Sequence, residues 1–313
     1  MSLEIIGAES LGVRSLCCHV TLADRRIVID PGVALGYWRH GLMPHPLQVA
    51  TGRQIRERIL QVLNDATDVV FSHFHGDHVP LKKANPYQLS IQALPSGFTE
   101  LQCWSKSDID VSSEMKKRFH DLVELMGDKM QMAEGVSEGP LSFSPPVPHG
   151  RADSRMGTVM MTRIEMGGQV FVHASDIQLL DDATVDRVLD WQPDILLAAG
   201  PPLYLGRLRK VDRQRARDNA LRLARGIDVV ILDHHLMRSE EGAVWLDELS
   251  AMVGKKLYCA ADFMGRKRCL LEAQRPQMYE EMPVPSGWHD DYARGRLDLD
   301  EYLGAMDAHG CCL

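Results

Sequence analysis

The chain has 313 residues, 45% of them hydrophobic and 25% charged, as in globular proteins that bury a sizeable core. Its formal net charge of −8 disfavours nucleic-acid binding through the whole surface but does not exclude a local basic patch. The chain has neither a long uninterrupted apolar run nor the N-terminal layout of a signal peptide, so we expect a cytoplasmic protein without a transmembrane helix.

The first third of the chain begins with predicted strands. Short apolar runs bounded by Gly, Asp or Pro occupy residues 3–6, 13–22 and 26–29. A helix is predicted from Thr51 as N-cap, because apolar residues then recur at helical spacing. A buried strand over 68–72 leads directly into Ser-His-Phe-His-Gly-Asp-His.

The rest of the chain alternates helices with apolar strands. We predict a helix over 112–126 that stops at Gly127, then strands over 158–164 and 169–173. Three helix–strand pairs follow, at 183–191 with 195–199, 211–225 with 229–232, and 241–253 with 257–260. This alternation predicts layered α/β packing. The segment 276–287, rich in Pro and Glu, is predicted to link the core to a C-terminal extension.

The motif His73-x-His75-x-Asp77-His78 follows a predicted buried strand, whose end would hold the loop in place. In an extended loop His73 and His75 point the same way and can bind one ion, whereas Asp77 and His78 can reach a neighbouring ion. Imidazole together with carboxylate suits zinc, iron or manganese better than calcium or magnesium. The motif therefore predicts a metal centre that serves chemistry.

Further candidate ligands follow other strands or stiff loops. His149 lies in a Pro-rich loop, Asp176 follows the strand that ends near residue 173, and His234 and His235 follow the strand over 229–232. Taken alone, each of these residues is more simply explained by a structural role than by metal binding. Asp176, for example, could be the N-cap of a short turn. Their position after strands, in chain order behind the first motif, favours a role in the metal centre.

These motifs together resemble those of the metallo-β-lactamase superfamily. His73-x-His75-x-Asp77-His78 is similar to the family signature, Asp30 to its early aspartate, and Asp176 to its bridging aspartate. His149 is similar to the third-motif histidine and His234 to the final one. The similarity runs from about residue 3 to residue 262. Segments 10–15, 30–33 and 44–46 also resemble an uncharacterised prokaryotic branch of metal-dependent hydrolases.

The resemblance implies a four-layer αβ/βα sandwich over residues 1–265, with 266–313 as a C-terminal extension packed on the same domain. It also implies two divalent metal ions, with zinc favoured over manganese or iron. The first ion would be held by His73, His75 and His149, the second by Asp77, His78 and His234, and Asp176 would bridge them. Asp77 and Asp176 are the expected catalytic carboxylates. Asp30 would support the loop of residues 73–78, which we call the metal loop.

The last histidine remains a choice between two neighbours. The sequence around residues 233–238 is similar to the last motif of ribonuclease Z-type members, which favours His234 as the ligand. The alternatives for His235 are that it binds the metal in place of His234, or that it forms a hydrogen bond to a neighbouring ligand.

Several basic residues near the motifs are candidates for substrate binding. Arg14, Arg151 and Arg238, with His45, could bind a phosphate or carboxylate, and surface salt bridges are the alternative for each. Residues 207–225 hold eight Lys or Arg against two Asp. We interpret this segment as a solvated helix face rather than as a phosphate-binding patch.

The resemblance implies hydrolysis by a metal-bridging hydroxide, most simply of a phosphodiester in a nucleotide or short nucleic acid. A lactone, thioester or amide substrate, an iron-dependent redox reaction and a non-catalytic interaction protein are the alternatives. The segment between Asp176 and His234 is too short for the inserted domain of RNA-processing nucleases. We therefore expect a small-molecule or short oligonucleotide substrate, no stable nucleic-acid complex and no membrane partner. The sequence leaves homo-oligomerisation open.

Overall fold

The computed structural model describes residues 1–153, 156–300, 302 and 304, and contains two six-stranded sheets. The first sheet consists, in spatial order, of β1 (Ser2–Ile5), β2 (Cys18–Thr21), β3 (Arg26–Ile29), β4 (Asp68–Phe71), β5 (Gln102–Ser105) and β6 (Met130–Met132). Its first three strands are antiparallel, and β3 to β6 are parallel.

The second sheet repeats this plan with its strands in the order β14-β13-β12-β11-β8-β7. Its strands are β7 (Ser137–Glu138), β8 (Leu141–Phe143), β11 (Thr162–Met166), β12 (Gln169–His173), β13 (Ile195–Ala198) and β14 (Val229–Leu232). Strands β12, β13 and β14 are parallel, and the other pairs are antiparallel. A separate two-stranded ribbon pairs β9 (Val147–Pro148) with β10 (Thr158–Val159).

The helices cover the outer faces of the sheets. They are α1 (Pro46–Asn64), α2 (Ser113–Met126), α3 (Asp182–Asp190), α4 (Lys210–Gly226), α5 (Glu240–Val253), α6 (Ala260–Phe263), α7 (Arg275–Glu281) and α8 (Trp288–Ala293). Side chains alternate along each strand, so one strand serves two cores. In β3, Ile27 and Ile29 join the core shared with the second sheet, whereas Val28 joins the core under α1 and α2. Helices α3, α4 and α5 close the opposite side. The predicted four-layer αβ/βα sandwich is confirmed.

Several predicted elements are wrong in their limits; the strand predicted over 158–164, for example, is divided between β10 and β11. Helix α1 begins at Pro46 rather than after Thr51, because His45 and Gln48 form a capping box and proline fits the first helical turn. Thr51 lies inside the helix and donates its hydroxyl to the carbonyl of Leu47. The predicted strand over 257–260 is reduced to a single bridge between Ile231 and Tyr258, because α6 begins at residue 260.

The described part of the predicted extension packs on the first core. Leu271, Met278 and Trp288 are buried there. The guanidinium of Arg275, wholly buried, donates to the carbonyls of Gly36 and Leu42 and to the side chain of Gln48. Residues 301, 303 and 305–313 of the extension lie outside the described residues, and the boundary at residue 265 stays a prediction. Among the described helices, none is both long and apolar enough to cross a membrane.

Candidate metal centre

The candidate site lies where strands of both sheets end. Asp30 follows β3, and the loop that holds His73 follows β4, so both come from the first sheet. Asp176 follows β12, and His234 follows β14, so both come from the second. His149 follows the short strand β9. Because the two sheets face each other, these strand ends meet at one edge of the sandwich.

Three non-glycine residues at these strand ends have left-handed backbone conformations. Asp30 has φ 49°, Ser175 has φ 52° and His234 has φ 33°. A positive φ strains an L-residue by about 1–3 kcal/mol and persists only where the surrounding structure imposes it. These conformations turn the chain sharply after β3, β12 and β14, where Asp30, Asp176 and His234 lie.

Four overlapping groups of donor atoms meet there, each with its atoms within 4.8 Å of one another. The groups are His73–His75–His149–Asp176, Asp77–His78–His234, Asp176–His234–His235 and Asp30–His73–His78. The first two groups contain the sets that the sequence resemblance implies for two ions. The third adds His235. The ligand role of each residue stays a prediction.

Asp176 lies at the centre of the cluster and is wholly buried. Six imidazoles face its carboxylate: those of His149 at 3.1 Å, His78 at 3.3 Å, His235 at 3.3 Å, His73 at 3.5 Å, His234 at 3.6 Å and His75 at 3.9 Å. Oδ1 of Asp176 and both ring nitrogens of His235 are buried without a hydrogen-bond partner. Buried polar atoms rarely stay unpaired. These unpaired donors, imidazole nitrogens and a carboxylate oxygen, fit a divalent metal ion of the zinc class.

The charge states of most of the cluster suit metal binding. Burial lowers the pKa of His78, but Asp176 and Asp30 raise it well above its ordinary value, so this ring would release a proton on binding a metal. Burial lowers the pKa of His73 to about 3 and that of His235 to about 3, so both rings are neutral and keep a lone pair. Burial favours protonation of Asp176, but His78 and the other histidines hold the pKa of that carboxyl well below its ordinary value. Neutral imidazole and ionised carboxylate are the forms that coordinate metals.

Side chains outside the predicted set orient these donors. The amide of Gln178 faces His149 Nδ1 at 3.2 Å. The hydroxyls of Ser72 and Ser175 lie 3.0 and 3.3 Å from His73 Nδ1. Sequence reasoning missed all three. Ser72 and Ser175 directly precede His73 and Asp176, and this adjacency is the one signal that could have found them.

The arginines predicted for substrate binding lie in different surroundings. Arg238 is buried, with Nη2 2.7 Å from His234 Nε2 and 3.4 Å from Asp77 Oδ2. Arg14 instead forms a bidentate salt bridge with Glu272, in which Nε and Nη2 each lie 2.6 Å from a carboxylate oxygen.

The other two candidates are also held away from the donor cluster. Arg151 pairs with Asp153 at 2.8 Å and with Asp212 at 3.4 Å. His45 caps α1, and its Nε2 faces the carbonyl of Met282. Arg238 is therefore the predicted arginine that reaches the cluster.

Comparison with solved structures gives low similarity. An isothiocyanate hydrolase from Delia radicum gut bacteria aligns over 78% of this chain and 92% of its own, with 16% identity and a TM-score of 0.48. A metal-dependent hydrolase of the β-lactamase superfamily aligns over 82% and 95%, with 12% identity and a TM-score of 0.48. The fold is established by the layers and strand order above rather than by these alignments. No protein-family model matches the chain.

Comparison with curated sequences gives relatives over nearly the whole chain. A UPF0282 protein of Methanosarcina mazei is 47% identical over 97% of this chain and 100% of its own length. A UPF0282 protein of Pyrococcus furiosus is 33% identical over 92% and 96%, and one of Thermococcus gammatolerans is 33% identical over 88% and 94%. With such identity over almost the full length of both partners, the chain belongs to the UPF0282 family.

Proposed function

We propose that this protein is a hydrolase that uses two divalent metal ions, zinc first, with manganese or iron as alternatives. The observation that carries the proposal is the convergence of two donor groups on the buried carboxylate of Asp176. One ion would be held by His73, His75 and His149, the other by Asp77, His78 and His234, with Asp176 between them. Such ions, when bound, lower the pKa of a coordinated water from near 15.7 towards about 7 and so supply a nucleophile at neutral pH.

Arg238 supports an anionic substrate. Its guanidinium contacts Asp77 and His234, and it also lines a cavity of about 280 Å³ together with Arg39. Both guanidinium groups already pair with carboxylates, so a phosphate would replace a carboxylate as the acceptor of their forked donors. The carboxylate of Glu9, 3.3 Å from Arg238 Nε, and the hydroxyl of Tyr204 restrict this guanidinium to one orientation. A phosphodiester is therefore the substrate that we propose.

The ion pairs on the surface of α4 support a small substrate rather than a long nucleic acid. Arg209 pairs with Asp212, Arg213 with Glu241, and Arg222 with Asp186. These pairs lie on the exposed side of the helix, where ion pairs are common without a bound ligand, and this supports a solvated helix surface. We propose a nucleotide or a short oligonucleotide as substrate, without a stable nucleic-acid complex.

The test is hydrolysis of bis(p-nitrophenyl) phosphate by protein loaded with zinc or, separately, manganese. Asp176→Ala removes the central carboxylate, and Asp186→Ala, an exposed position on α3, is the matched control. We expect turnover that depends on the metal, is retained in Asp186→Ala and is lost in Asp176→Ala. Absence of turnover with either metal would contradict the phosphodiester proposal. Lactone, thioester and amide substrates and iron-loaded protein would then be tested.

A further inference from the structure

The adjacent residues His234 and His235 both direct their rings into the same cluster. Neighbouring side chains in extended chain point to opposite sides, so one of the two would ordinarily face away. Here the ring centroids lie 4.7 Å apart, with an interplanar angle of 51°. His234 has φ 33°, and His235 has φ −68° and ψ −35° at the start of a short helical turn. This left-handed turn places the ring of His235 on the same side of the chain as the ring of His234.

The strained turn is held by the side chain of Asp233. Its carboxylate accepts hydrogen bonds from the backbone N–H groups of Ser10 at 3.0 Å, Ala260 at 2.8 Å and His234 at 2.7 Å. The hydroxyl of Ser10 donates to Oδ2, the oxygen that also accepts from Ala260. Asp233 is fully buried, and these four hydrogen-bond donors reduce the free-energy cost of burying its carboxylate. The orientation of both rings is therefore imposed by the fold around them.

The ring of His235 is buried, and neither of its nitrogens has a hydrogen-bond partner. Its Nε2 lies 3.3 Å from Asp176 Oδ2, and its ring centroid lies 5.3 Å from that of His149. A purely structural buried histidine would be expected to use at least one nitrogen, as His173 does with the carbonyl of Leu16 at 2.9 Å. His235 instead directs Nε2 towards the carboxylate of Asp176 at the centre of the donor cluster.

We propose that His235 is a further metal ligand, which forms a donor set with Asp176 and His234. The proposal goes beyond the seven ligands expected from the sequence and gives the centre a sixth imidazole, after His73, His75, His78, His149 and His234. It rests on the proposed function only in requiring that the centre binds metal. It requires no particular substrate or reaction.

The experiment uses full-length protein loaded with Co²⁺, which takes the place of zinc and shifts the proton resonances of coordinated imidazoles far outside the normal NMR range. We expect strongly shifted ring resonances from six histidines in the wild type and from five in His235→Gln. His120→Gln, a change at an exposed histidine outside the donor groups, should keep all six. Competition with a chelator should show an affinity for one ion in His235→Gln that falls by more than the 10–100-fold typical of losing a supporting group.

The outcomes separate the two proposals. Shifted resonances from five histidines in the wild type, or an unchanged count in His235→Gln with metal bound, would overturn the role of His235 and leave the metal centre intact. Absence of bound Co²⁺ in the wild type would overturn both proposals. If His235→Gln fails to fold, the wild-type count of six or five still decides the matter.

Discussion

Oδ2 of Asp30 lies 3.0 Å from Nδ1 of His78, and both residues are fully buried. The same carboxylate accepts hydrogen bonds from the backbone N–H of Ser72 at 2.8 Å and from its hydroxyl at 2.5 Å. Because His78 uses Nδ1 towards Asp30, its Nε2 faces Asp176 Oδ1 at 3.3 Å. Asp30 thus determines the start of the metal loop and the orientation of one ring at its end.

This relationship predicts a positioning role for Asp30. In Asp30→Asn an amide replaces one carboxylate oxygen, so His78 or Ser72 loses its acceptor and the ring can turn away. Loss of such a supporting group typically costs 10–100-fold in metal affinity. Chelator competition monitored with zinc should show a fall of about that size. Asp24→Asn, at an exposed position, should leave the affinity unchanged, and equal affinities in the two variants would contradict the role of Asp30.

Metal removal is expected to lower the thermal stability of the protein. The cluster holds buried donors without hydrogen-bond partners, and an ion that binds only the native state stabilises it. At a free zinc concentration one hundred times the dissociation constant, the gain is about 2.7 kcal/mol, which corresponds to a rise in Tm of about 5 °C. Calorimetry with chelator and then with excess zinc measures this rise. It should vanish in Asp176→Ala, and a wild-type Tm indifferent to zinc would contradict the metal centre.

The close contact between Gly32 and the metal loop predicts a severe effect of Gly32→Ala. A Cβ on Gly32 would lie 2.2 Å from the carbonyl carbon of His78 and 2.3 Å from the nitrogen of Val79. Both are backbone atoms, which cannot move aside without displacing the loop. We expect a loss of about 3 kcal/mol in the free energy of unfolding, together with weaker metal binding.

The matched control for this prediction is Gly52→Ala in α1. A Cβ there would meet Leu35 at an ordinary 3.5 Å. Alanine should stabilise the helix by about 0.5–1 kcal/mol. Urea unfolding of both variants checks the pair, and a Gly32→Ala protein as stable as the wild type would show that the loop tolerates displacement.

We expect the raised pKa of the buried Glu9 carboxyl to make the stability of the protein depend on pH. Burial, and then the nearby Glu272, raise the pKa of Glu9 from about 4.5 to about 8, against the opposing effect of Arg238. Between these values the folded protein keeps the proton and the unfolded chain releases it. The free energy of unfolding therefore falls as pH rises through this window, by about 1.4 kcal/mol per pH unit from this group.

The test compares wild type with Glu9→Gln, whose side chain stays neutral at every pH. Urea unfolding between pH 6 and 8, a range chosen inside the window of about 4.5 to about 8, should show the wild type losing stability relative to the variant as pH rises. The comparison cancels the titration of the histidines, which both proteins share. A stability difference that does not change with pH would mean that Glu9 is already ionised in the folded state.

The metal loop could be predicted from the sequence because its chemistry is local. His73, His75, Asp77 and His78 follow a buried strand within six residues, so strand periodicity and side-chain type sufficed. The helix over 112–126 was predicted for the same reason, since Ser112 caps it and Gly127 ends it. Helix and strand periods, caps and turns depend on neighbouring residues, and these are visible in the chain itself.

Contacts between distant residues were decided by the tertiary structure. Arg238 contacts Glu9, 229 residues earlier in the chain, whereas Arg14, also a candidate for substrate binding, is held by Glu272. His235, assigned a supporting role or a place as substitute for His234, faces the centre because His234 adopts φ 33°. Side-chain type and spacing specify which groups can bind a metal. The packing of two sheets and the strained turns at their strand ends determine which of those groups meet.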